Sequence, residues 1–319
     1  FIALLTIPIN VLYNYLKGIL QGKELIHKLN NTSILRVFGN LSLVLIFVWL
    51  LDWNVTGTVI AQLISIIMSL IYTIYIINQI TPIRIKFVSE LPWQLFIKGI
   101  SYSITLFVLQ LNYRIDIVIL EQFTSSHEIG LYSIGVNLAE LLWTIPASIG
   151  FVLFARSANT TSSNEAVTRS VKLFRITAPL MLIISTFFFI VVPLFISTVY
   201  GENFTESAPV TQLLLPGTLS MVSFKILHSD MAGRGKPLFA FNIFLTSLII
   251  NVLLNYYLIP KYGIHGAAIA STISYLLASI LYVIKYTKVT KIHLNQLIIK
   301  KEDLKVLKKL LEFLKIRGR

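Results

Sequence analysis

Runs of about twenty apolar residues recur along the chain, and they constrain its fold more than any other feature. A run of this length, folded as an α-helix, is long enough to cross a bilayer core of about 30 Å. Strands of a membrane barrel would be shorter, alternating segments of about ten residues, so these long, continuously apolar runs predict helices. We predict nine spans, the first of them partial, over residues 1–16, 34–51, 57–77, 95–123, 129–154, 173–199, 210–228, 238–259 and 263–286.

The composition supports the same class of protein. Apolar residues make up 55% of the chain, charged residues 13%, and the mean hydropathy is +0.78. Soluble domains carry about 25% charged residues, and disordered chains have low hydrophobicity, so both classes are excluded. The chain has no cysteine, which excludes thiol catalysis and Cys-ligated zinc. The predicted fold class is therefore an all-α integral membrane protein.

Basic residues are concentrated on alternate connections between the predicted spans. These connections and the segment after the last span carry 25 of the 27 basic residues, beginning with Lys17, Lys23, Lys28 and Arg36. The other connections have Lys261 as their only base. By the positive-inside rule the basic side is cytoplasmic, which places the C-terminus in the cytoplasm of a multi-pass cell-membrane protein. The net charge of +13 is thus a topology signal, and we expect no nucleic-acid binding.

An internal repeat relates the start of the chain to its end. Residues 21–23 and 53–57 in the first copy match residues 234–236 and 262–266 in the second. Each copy has a basic glycine turn, a helix with a polar start, a short outer turn with glycine, and a helix rich in small residues. Repeat symmetry predicts twelve spans in two parallel lobes of six, with about 120 residues expected ahead of Phe1. The predicted domains are the second half of the first lobe (1–90), a complete second lobe (91–290) and a tail (291–319).

Several short motifs carry a family resemblance. They are Arg114-Ile115-Asp116, the segment 130–133, Pro146, Gly235-Lys236, Asn242, Asn255 and the segment 258–268. In this order and spacing they resemble the Wzx-type polysaccharide-export flippases of the multidrug/oligosaccharidyl-lipid/polysaccharide flippase superfamily, over most of residues 1–290. The resemblance implies a MATE-like bundle of two six-helix lobes, here with the first lobe incomplete, a central cationic cavity and alternating access. It also implies movement of a lipid-linked oligosaccharide to the outer leaflet, with the polysaccharide assembly machinery as a further partner.

The span that begins near residue 95 contains unusual polar side chains. A charge at mid-bilayer costs at least about 2.5–3.5 kcal/mol, so it is retained where it faces protein or water. Gln110 and Arg114 share one helical stripe, and Asn112 and Asp116 share another. We expect Arg114, with Gln110 beside it, to bind the carrier diphosphate, because guanidinium groups suit phosphate oxygens. Asp116 would bind a coupling cation or set helix packing; alternatively, neighbouring helices satisfy both charges.

The next span carries polar residues on one face. Asn137 and Glu140 lie on it together with Ser133 and Thr144. We expect Asn137 to contact substrate and Glu140 to couple transport to protons, whereas the alternative for Glu140 is an interhelical hydrogen bond worth about 0.6 kcal/mol. No catalytic residue, metal ligand set or cofactor is predicted, and H⁺ and Na⁺ both remain open as coupling ions. Lys225 is expected to snorkel to the membrane surface.

The tail is predicted to form a basic amphipathic helix. Leucines at residues 304, 307, 311 and 314 share one face, and lysines crowd the other. Such a helix on the cytoplasmic side suits anionic lipid headgroups, and docking to a partner is the alternative.

Three functions are compatible with these sequence patterns. An enzyme of envelope assembly is disfavoured because the outer connections are short and no catalytic cluster is present. A cation-coupled multidrug antiporter of the same superfamily would suit an acidic pocket, whereas this chain offers Arg114 within a span. A flippase for lipid-linked oligosaccharide is therefore the leading prediction, with the antiporter as the alternative.

Overall fold

The fold was analysed in a computed structural model that describes residues 2–82, 91–300 and 302–303. All regular elements in these ranges are helices. Contacts within the chain define two compact units, unit 1 (residues 1–89) and unit 2 (residues 90–319).

Unit 1 is built from three helices, of which the last packs against both others. Small residues recur every four positions along that last helix: Gly57, Ala61, Ser65, Ser69 and Thr73 are all buried. Small side chains let neighbouring helix backbones approach closely in a membrane protein. The helices are α1 (Ile2–Gly22), α2 (Ile26–Val44, continuing as a π-helical turn over Leu45–Leu50) and α3 (Asn54–Ile80).

The two copies of the sequence repeat share a local packing feature. A Cβ atom at Gly57 would lie 3.0 Å from the Cβ of Trp53, and one at Gly266 would lie 2.4 Å from the backbone oxygen of Leu258. In both copies the chain ahead of this glycine approaches the following helix closely, so a side chain would clash at Gly266 and would be crowded at Gly57.

In the described part of unit 2, seven α-helices are joined by short connections. Helix α4 packs along α10, α5 packs on α8, α6 packs on α9, and α8 also contacts α10. Their bounds are α4 (Leu91–Leu120), α5 (Ser126–Leu141), α6 (Thr144–Asn159), α7 (Ser163–Val199), α8 (Ser207–Ser220), α9 (Val222–Gly233) and α10 (Phe241–Thr290).

Two breaks divide long helical segments of unit 2. Helices α5 and α6 meet at a bend of 50°, where Pro146 lacks an N–H to donate and its ring crowds the carbonyl of Leu142. Helix α10 is interrupted at Gly263, which has φ of 53° and ψ of −133°. An unbroken helix of 50 residues would measure about 75 Å, far more than one bilayer core. The break at Gly263 coincides with the boundary predicted between the last two spans.

Six helices in the described ranges are long and apolar enough to cross a membrane, or up to seven when α5 and α6 are taken as one span. That count takes residues 237–290 as one segment and does not include α1. The nine spans, the twelve-span parent fold and the three domain boundaries therefore stay predictions. The predicted tail helix lies outside the described residues, apart from Lys300, Glu302 and Asp303.

Candidate substrate site

An accessible ion pair joins two helices of unit 2. Arg114 extends from α4, and its Nη2 lies 2.9 Å from Oε2 of Glu140 in the last turn of α5. The side chains are 47% and 20% exposed. The second carboxylate oxygen of Glu140, Oε1, is buried and has no hydrogen-bond partner in the described part of the chain. The pair is thus open on the arginine side and incompletely satisfied on the glutamate side.

A second cation lies on aromatic rings next to this pair. The Nζ atom of Lys225, from α9, is 4.4 Å from the ring centroid of Trp143 and 5.1 Å from that of Tyr113. The positive charge is attracted by the negative face of such rings. Lys225 also interacts electrostatically with Glu140. Two cations around one carboxylate leave a surplus positive charge at this place in the fold.

The aromatic residues beneath Lys225 are held in place from several directions. Trp143, at the break between α5 and α6, donates from Nε1 to the backbone oxygen of Thr218 at 2.9 Å. The Tyr113 ring packs against Trp143 and Tyr275, with centroids 4.7 and 5.7 Å away. The Tyr113 hydroxyl is buried and has no hydrogen-bond partner among the described residues.

Accessible polar side chains recur on the two helices of the ion pair and at the start of α6, and we call them with it the polar face. Apolar side chains, in contrast, form most of the accessible surface of the second half of α7, including Ile183, Ile190 and Leu194. Only the second surface has the chemistry of a lipid-facing helix. The polar face consists of Ser103, Gln110, Arg114, Asn137, Glu140, Thr144 and Ser148.

Asp116 belongs to a separate, buried network. Its carboxylate accepts hydrogen bonds from the Tyr132 hydroxyl, from Ser271 Oγ at 3.0 Å and from its neighbour's backbone N–H. Asn251 donates to Ser271 at 3.4 Å, and Asn255 donates to Asn251 Oδ1 at 2.7 Å. This network ties α4 and α5 to both halves of α10, and the Asn255 Oδ1 atom within it is buried with no hydrogen-bond partner among the described residues.

The structure thus divides the predicted site residues into two groups. Gln110, Arg114, Asn137 and Glu140 share the polar face, and Asp116 lies in the buried network. Sequence reasoning missed the direct pairing of Arg114 with Glu140, and it missed the aromatic support around Lys225.

Part of the missed arrangement had a sequence signal. Trp143 follows Glu140 by three positions, a spacing that brings side chains together on a helix. Nothing in the sequence of α9 links Lys225 to α4 or α5, because that contact arises from tertiary packing. Within the described ranges, no group of three His, Cys, Asp or Glu side chains could hold a metal ion.

The sequence was compared with those of known protein families and known proteins. The chain matches the family described as polysaccharide biosynthesis protein over residues 2–209. It is 25% identical over 297 residues to a predicted O-antigen transporter of Shigella flexneri, covering 91% of this chain and 69% of that protein. It is 25% identical over 170 residues to a predicted low-salt glycan biosynthesis flippase, Agl15, of Haloferax volcanii, covering 52% of this chain and 36% of that protein.

An uncharacterized membrane protein of Methanocaldococcus jannaschii is 26% identical over 281 residues, covering 82% of this chain and 54% of the archaeal protein. The chain therefore spans about half the length of that relative. Among solved structures, a MATE protein in complex with MaL6 matches with a TM-score of 0.75 and 15% identity, covering 89% of this chain and 67% of that one. A variant of the Vibrio cholerae MATE transporter VcmN matches with a TM-score of 0.74 and 13% identity, covering 88% and 66%.

These likenesses define a multi-pass helical membrane protein with the MATE transporter fold. The chain belongs to the polysaccharide biosynthesis protein family, since that family matches well over half of its length.

Proposed function

We propose that the protein is a flippase that moves polyprenyl-diphosphate-linked oligosaccharide from the cytoplasmic to the outer leaflet by alternating access. The observation that carries this proposal is the accessible Arg114 side chain on the polar face of unit 2, with Lys225 as a second cation beside the same carboxylate. The names of the Shigella and Haloferax relatives, an O-antigen transporter and a glycan biosynthesis flippase, support the same cargo class.

The geometry suggests how cargo would engage the site. The fork of N–H groups on Arg114 can bind phosphate oxygens in pairs, while Lys225 contributes a point charge. A diphosphate would compete with Glu140 for Arg114, because one guanidinium cannot hold both anions in the same position. The amides of Gln110 and Asn137 supply both donors and acceptors, which suits sugar hydroxyls. Cargo binding would therefore release the Glu140 carboxylate.

Ion coupling has two candidate residues. Glu140, once released by Arg114, would take a proton or Na⁺. Asp116 would bind the ion within its buried network, where the carboxylate, the Asn255 Oδ1 atom and nearby hydroxyls provide oxygen ligands. We expect Asp116→Asn to retain cargo binding and lose acceleration by an ion gradient. Unchanged dependence on both a Na⁺ gradient and a pH gradient would exclude Asp116 as the coupling residue.

The same proposal implies an orientation in the membrane and a set of partners. The C-terminus would lie in the cytoplasm, where the basic tail would contact anionic headgroups. The polysaccharide assembly machinery would supply and receive the cargo. No catalytic step is proposed for this chain.

A reconstituted transport assay tests the proposed function. Proteoliposomes would contain the 319-residue chain and a fluorescent polyprenyl-diphosphate oligosaccharide, with a membrane-impermeant quencher reporting leaflet exchange. We expect exchange with the unaltered chain and a loss of at least about tenfold with Arg114→Gln, the effect of removing one charged hydrogen bond. Exchange that is equal with and without protein would refute the proposal.

The fold likeness to MATE transporters supports a second candidate, a cation-coupled antiporter for drugs or small molecules. The surplus positive charge beside Glu140 disfavours a cationic substrate at the polar face. Efflux of ethidium from the same proteoliposomes, without exchange of the lipid-linked sugar, would favour the antiporter instead.

A further inference from the structure

The basic glycine turn occurs once in each copy of the sequence repeat, but its lysine is used differently in the two units. In unit 1, Lys23 Nζ donates to Thr81 Oγ1, just after the end of α3, at 2.5 Å. In unit 2, Lys236 lies between α9 and α10, where its side chain is exposed. It forms no ion pair within the described ranges. The charge of Lys236 therefore has no counter-charge in the part of the chain that the structure describes.

A second lysine and an apolar wall meet Lys236 in one cavity. The cavity has a volume of about 440 Å³, and Lys98, Lys236, Ile97, Leu238 and Phe239 are among the residues that line it. We call it the turn cavity. Lys98 is also exposed and forms no ion pair among the described residues. Two cations beside an apolar wall suit an amphiphile with an anionic head.

The turn cavity lies at the level of phospholipid headgroups. Lys98 is about 33 Å along the helix axis from Leu120, where α4 ends, and this distance is close to the thickness of a bilayer core. Trp93 and Phe96, just ahead of Lys98, are 65% and 56% exposed, and their ring centroids are 5.6 Å apart. Exposed tryptophan rings are enriched where the bilayer meets water. Both observations place Lys98 at the boundary of the bilayer core.

The walls of the turn cavity are held together by the fold. The Tyr102 hydroxyl, from α4, donates to the backbone oxygen of Ala232 near the end of α9 at 2.7 Å. Pro237 is buried at the start of the short 3-10 helix that leads into α10. Tyr102 and Pro237 both line the cavity. The two lysines are therefore presented from segments that already contact each other.

A hydroxyl-lined cavity borders the same turn. It has a volume of about 540 Å³, and it shares Gly235 and Lys236 with the turn cavity. Thr160, Thr161 and Ser163 line it with hydroxyl groups, which both donate and accept hydrogen bonds. Lys236 thus borders an apolar compartment and a compartment suited to a polyol.

We propose that an anionic phospholipid with a glycerol headgroup, phosphatidylglycerol, binds at this turn. Its phosphate contacts Lys98 and Lys236, one acyl chain lies in the turn cavity, and its glycerol extends to the hydroxyl-lined cavity. A bilayer phospholipid is favoured over the lipid-linked cargo because phospholipids fill the headgroup layer at which Lys98 lies. The inference is independent of the proposed function, since it concerns a lipid that stays bound and is not transported.

Native mass spectrometry of the full chain tests this site. The protein in detergent would be titrated with dioleoyl phosphatidylglycerol, and the affinity for the first lipid bound would be measured. We expect the double variant Lys98→Gln, Lys236→Gln to bind that lipid at least about tenfold more weakly. The matched control is Lys288→Gln, Lys291→Gln, which removes the same charge from exposed positions at the end of α10 and should leave the affinity unchanged.

The acyl-chain compartment has a test of its own. Leu238→Asn places an amide on the apolar wall and should weaken binding of the dioleoyl lipid more than binding of dihexanoyl phosphatidylglycerol, whose chains are too short to fill the cavity. An equal loss for both lipids would show that no acyl chain occupies the turn cavity.

Three results would overturn the proposal. The first is unchanged affinity in the double variant, or in Lys236→Gln alone if the double variant does not fold. The second is an equal loss in the control, which would mean that any positive charge on this side attracts the lipid. The third is displacement of phosphatidylglycerol by an equimolar amount of polyprenyl diphosphate from the unaltered chain but not from the double variant, which would assign the site to the cargo.

Discussion

Unit 2 contains two arginine–carboxylate pairs with opposite characters. Arg234 and Asp230, on the basic side of the unit, are 12% and 0% exposed, whereas the Arg114–Glu140 pair is half open. Asp230 also accepts hydrogen bonds from Ser157 at 2.9 Å and from Tyr286 at 3.1 Å, so both of its oxygens are used. Glu140 leaves one oxygen without a partner among the described residues.

This contrast indicates that the buried pair stabilises the fold and that the accessible pair is available for function. A buried pair whose carboxylate oxygens are both bonded offers no free oxygen to a ligand, and removing the carboxylate leaves a buried charge without its partner. An open pair stabilises little, since exposed ion pairs contribute about 0–1 kcal/mol, but it can exchange one partner for another. Substitutions at each pair test this division of roles.

The largest effect is expected at the closed pair. Asp230→Ala leaves Arg234 buried without its counter-charge, and we expect the free energy of unfolding to fall by about 3–5 kcal/mol. The measurement is thermal unfolding in detergent, together with the abundance of the protein in membranes. A variant as stable and abundant as the unaltered chain would show that this pair does not hold α9 in place.

At the open pair, the expected loss is in transport rather than stability. Arg114→Gln should reduce flipping of lipid-linked oligosaccharide by at least about tenfold, and its thermal midpoint should stay close to that of the unaltered chain. Arg114→Lys, which keeps the charge but not the guanidinium fork, should retain part of the activity. If Arg114→Gln instead unfolds the protein as Asp230→Ala does, the two pairs do not differ in role.

The Tyr113 hydroxyl tests whether a buried polar atom of the open site contacts the cargo. Tyr113→Phe removes a buried polar atom that has no partner in the described part of the protein, so stability should be unchanged or rise by up to about 1 kcal/mol. Affinity for polyprenyl diphosphate should fall by about two- to tenfold if the hydroxyl donates to cargo. Calorimetry with and without the ligand measures both effects. A clear loss of stability without ligand would mean that the hydroxyl already has a partner in the protein.

A third pair, on the basic side, is as buried as the first, but its variant is expected to lose less because Asp303→Asn keeps an amide that still accepts a hydrogen bond. Arg175 contacts Asp303 at 2.8 Å. Burial raises the pKa of Asp303, but hydrogen bonds from the Lys300 backbone and Arg175, with the positive charge of Arg175, hold that pKa below its ordinary value. A lowered carboxyl pKa stabilises the fold above the unfolded-state pKa of about 4, and the contribution is lost as the pH falls through the folded-state pKa.

Asp303→Asn should therefore lower the thermal midpoint at pH 7 by less than Asp230→Ala does. At a pH well below about 4 the variant and the unaltered chain should unfold at the same temperature. A difference that persists unchanged into acid would show that the charge on Asp303 is not the cause.

Much of the fold could be predicted because hydropathy, charge placement and glycine turns are local properties of the chain. The break at Gly263 and the close approach at Gly57 both follow from turn residues visible in the sequence. Contacts between distant segments could not be predicted in the same way. The pairing of Arg114 with Glu140 depends on how α4 and α5 pack.

The sequence allowed candidate site residues to be named, but it did not show how they assemble. Helical spacing separated Arg114 from Asp116, yet spacing could not show that Asp116 would be enclosed by hydroxyls from α5 and α10. Lys225 was expected at the membrane surface, because a single lysine near a helix end usually extends there. Its place on the rings of Trp143 and Tyr113 is set by the packing of α9 against other helices.

The central claim is that cargo contacts the polar face of unit 2, and photocrosslinking tests it most directly. A photoreactive phenylalanine would replace Asn137 on that face or, as a control, Ile190 on the apolar surface of α7, in membranes that contain radiolabelled polyprenyl-diphosphate oligosaccharide. We expect the cargo to crosslink through position 137, and we expect inorganic pyrophosphate to suppress that crosslinking. Position 190 should give little specific crosslinking. Equal labelling at both positions, unaffected by pyrophosphate, would contradict it.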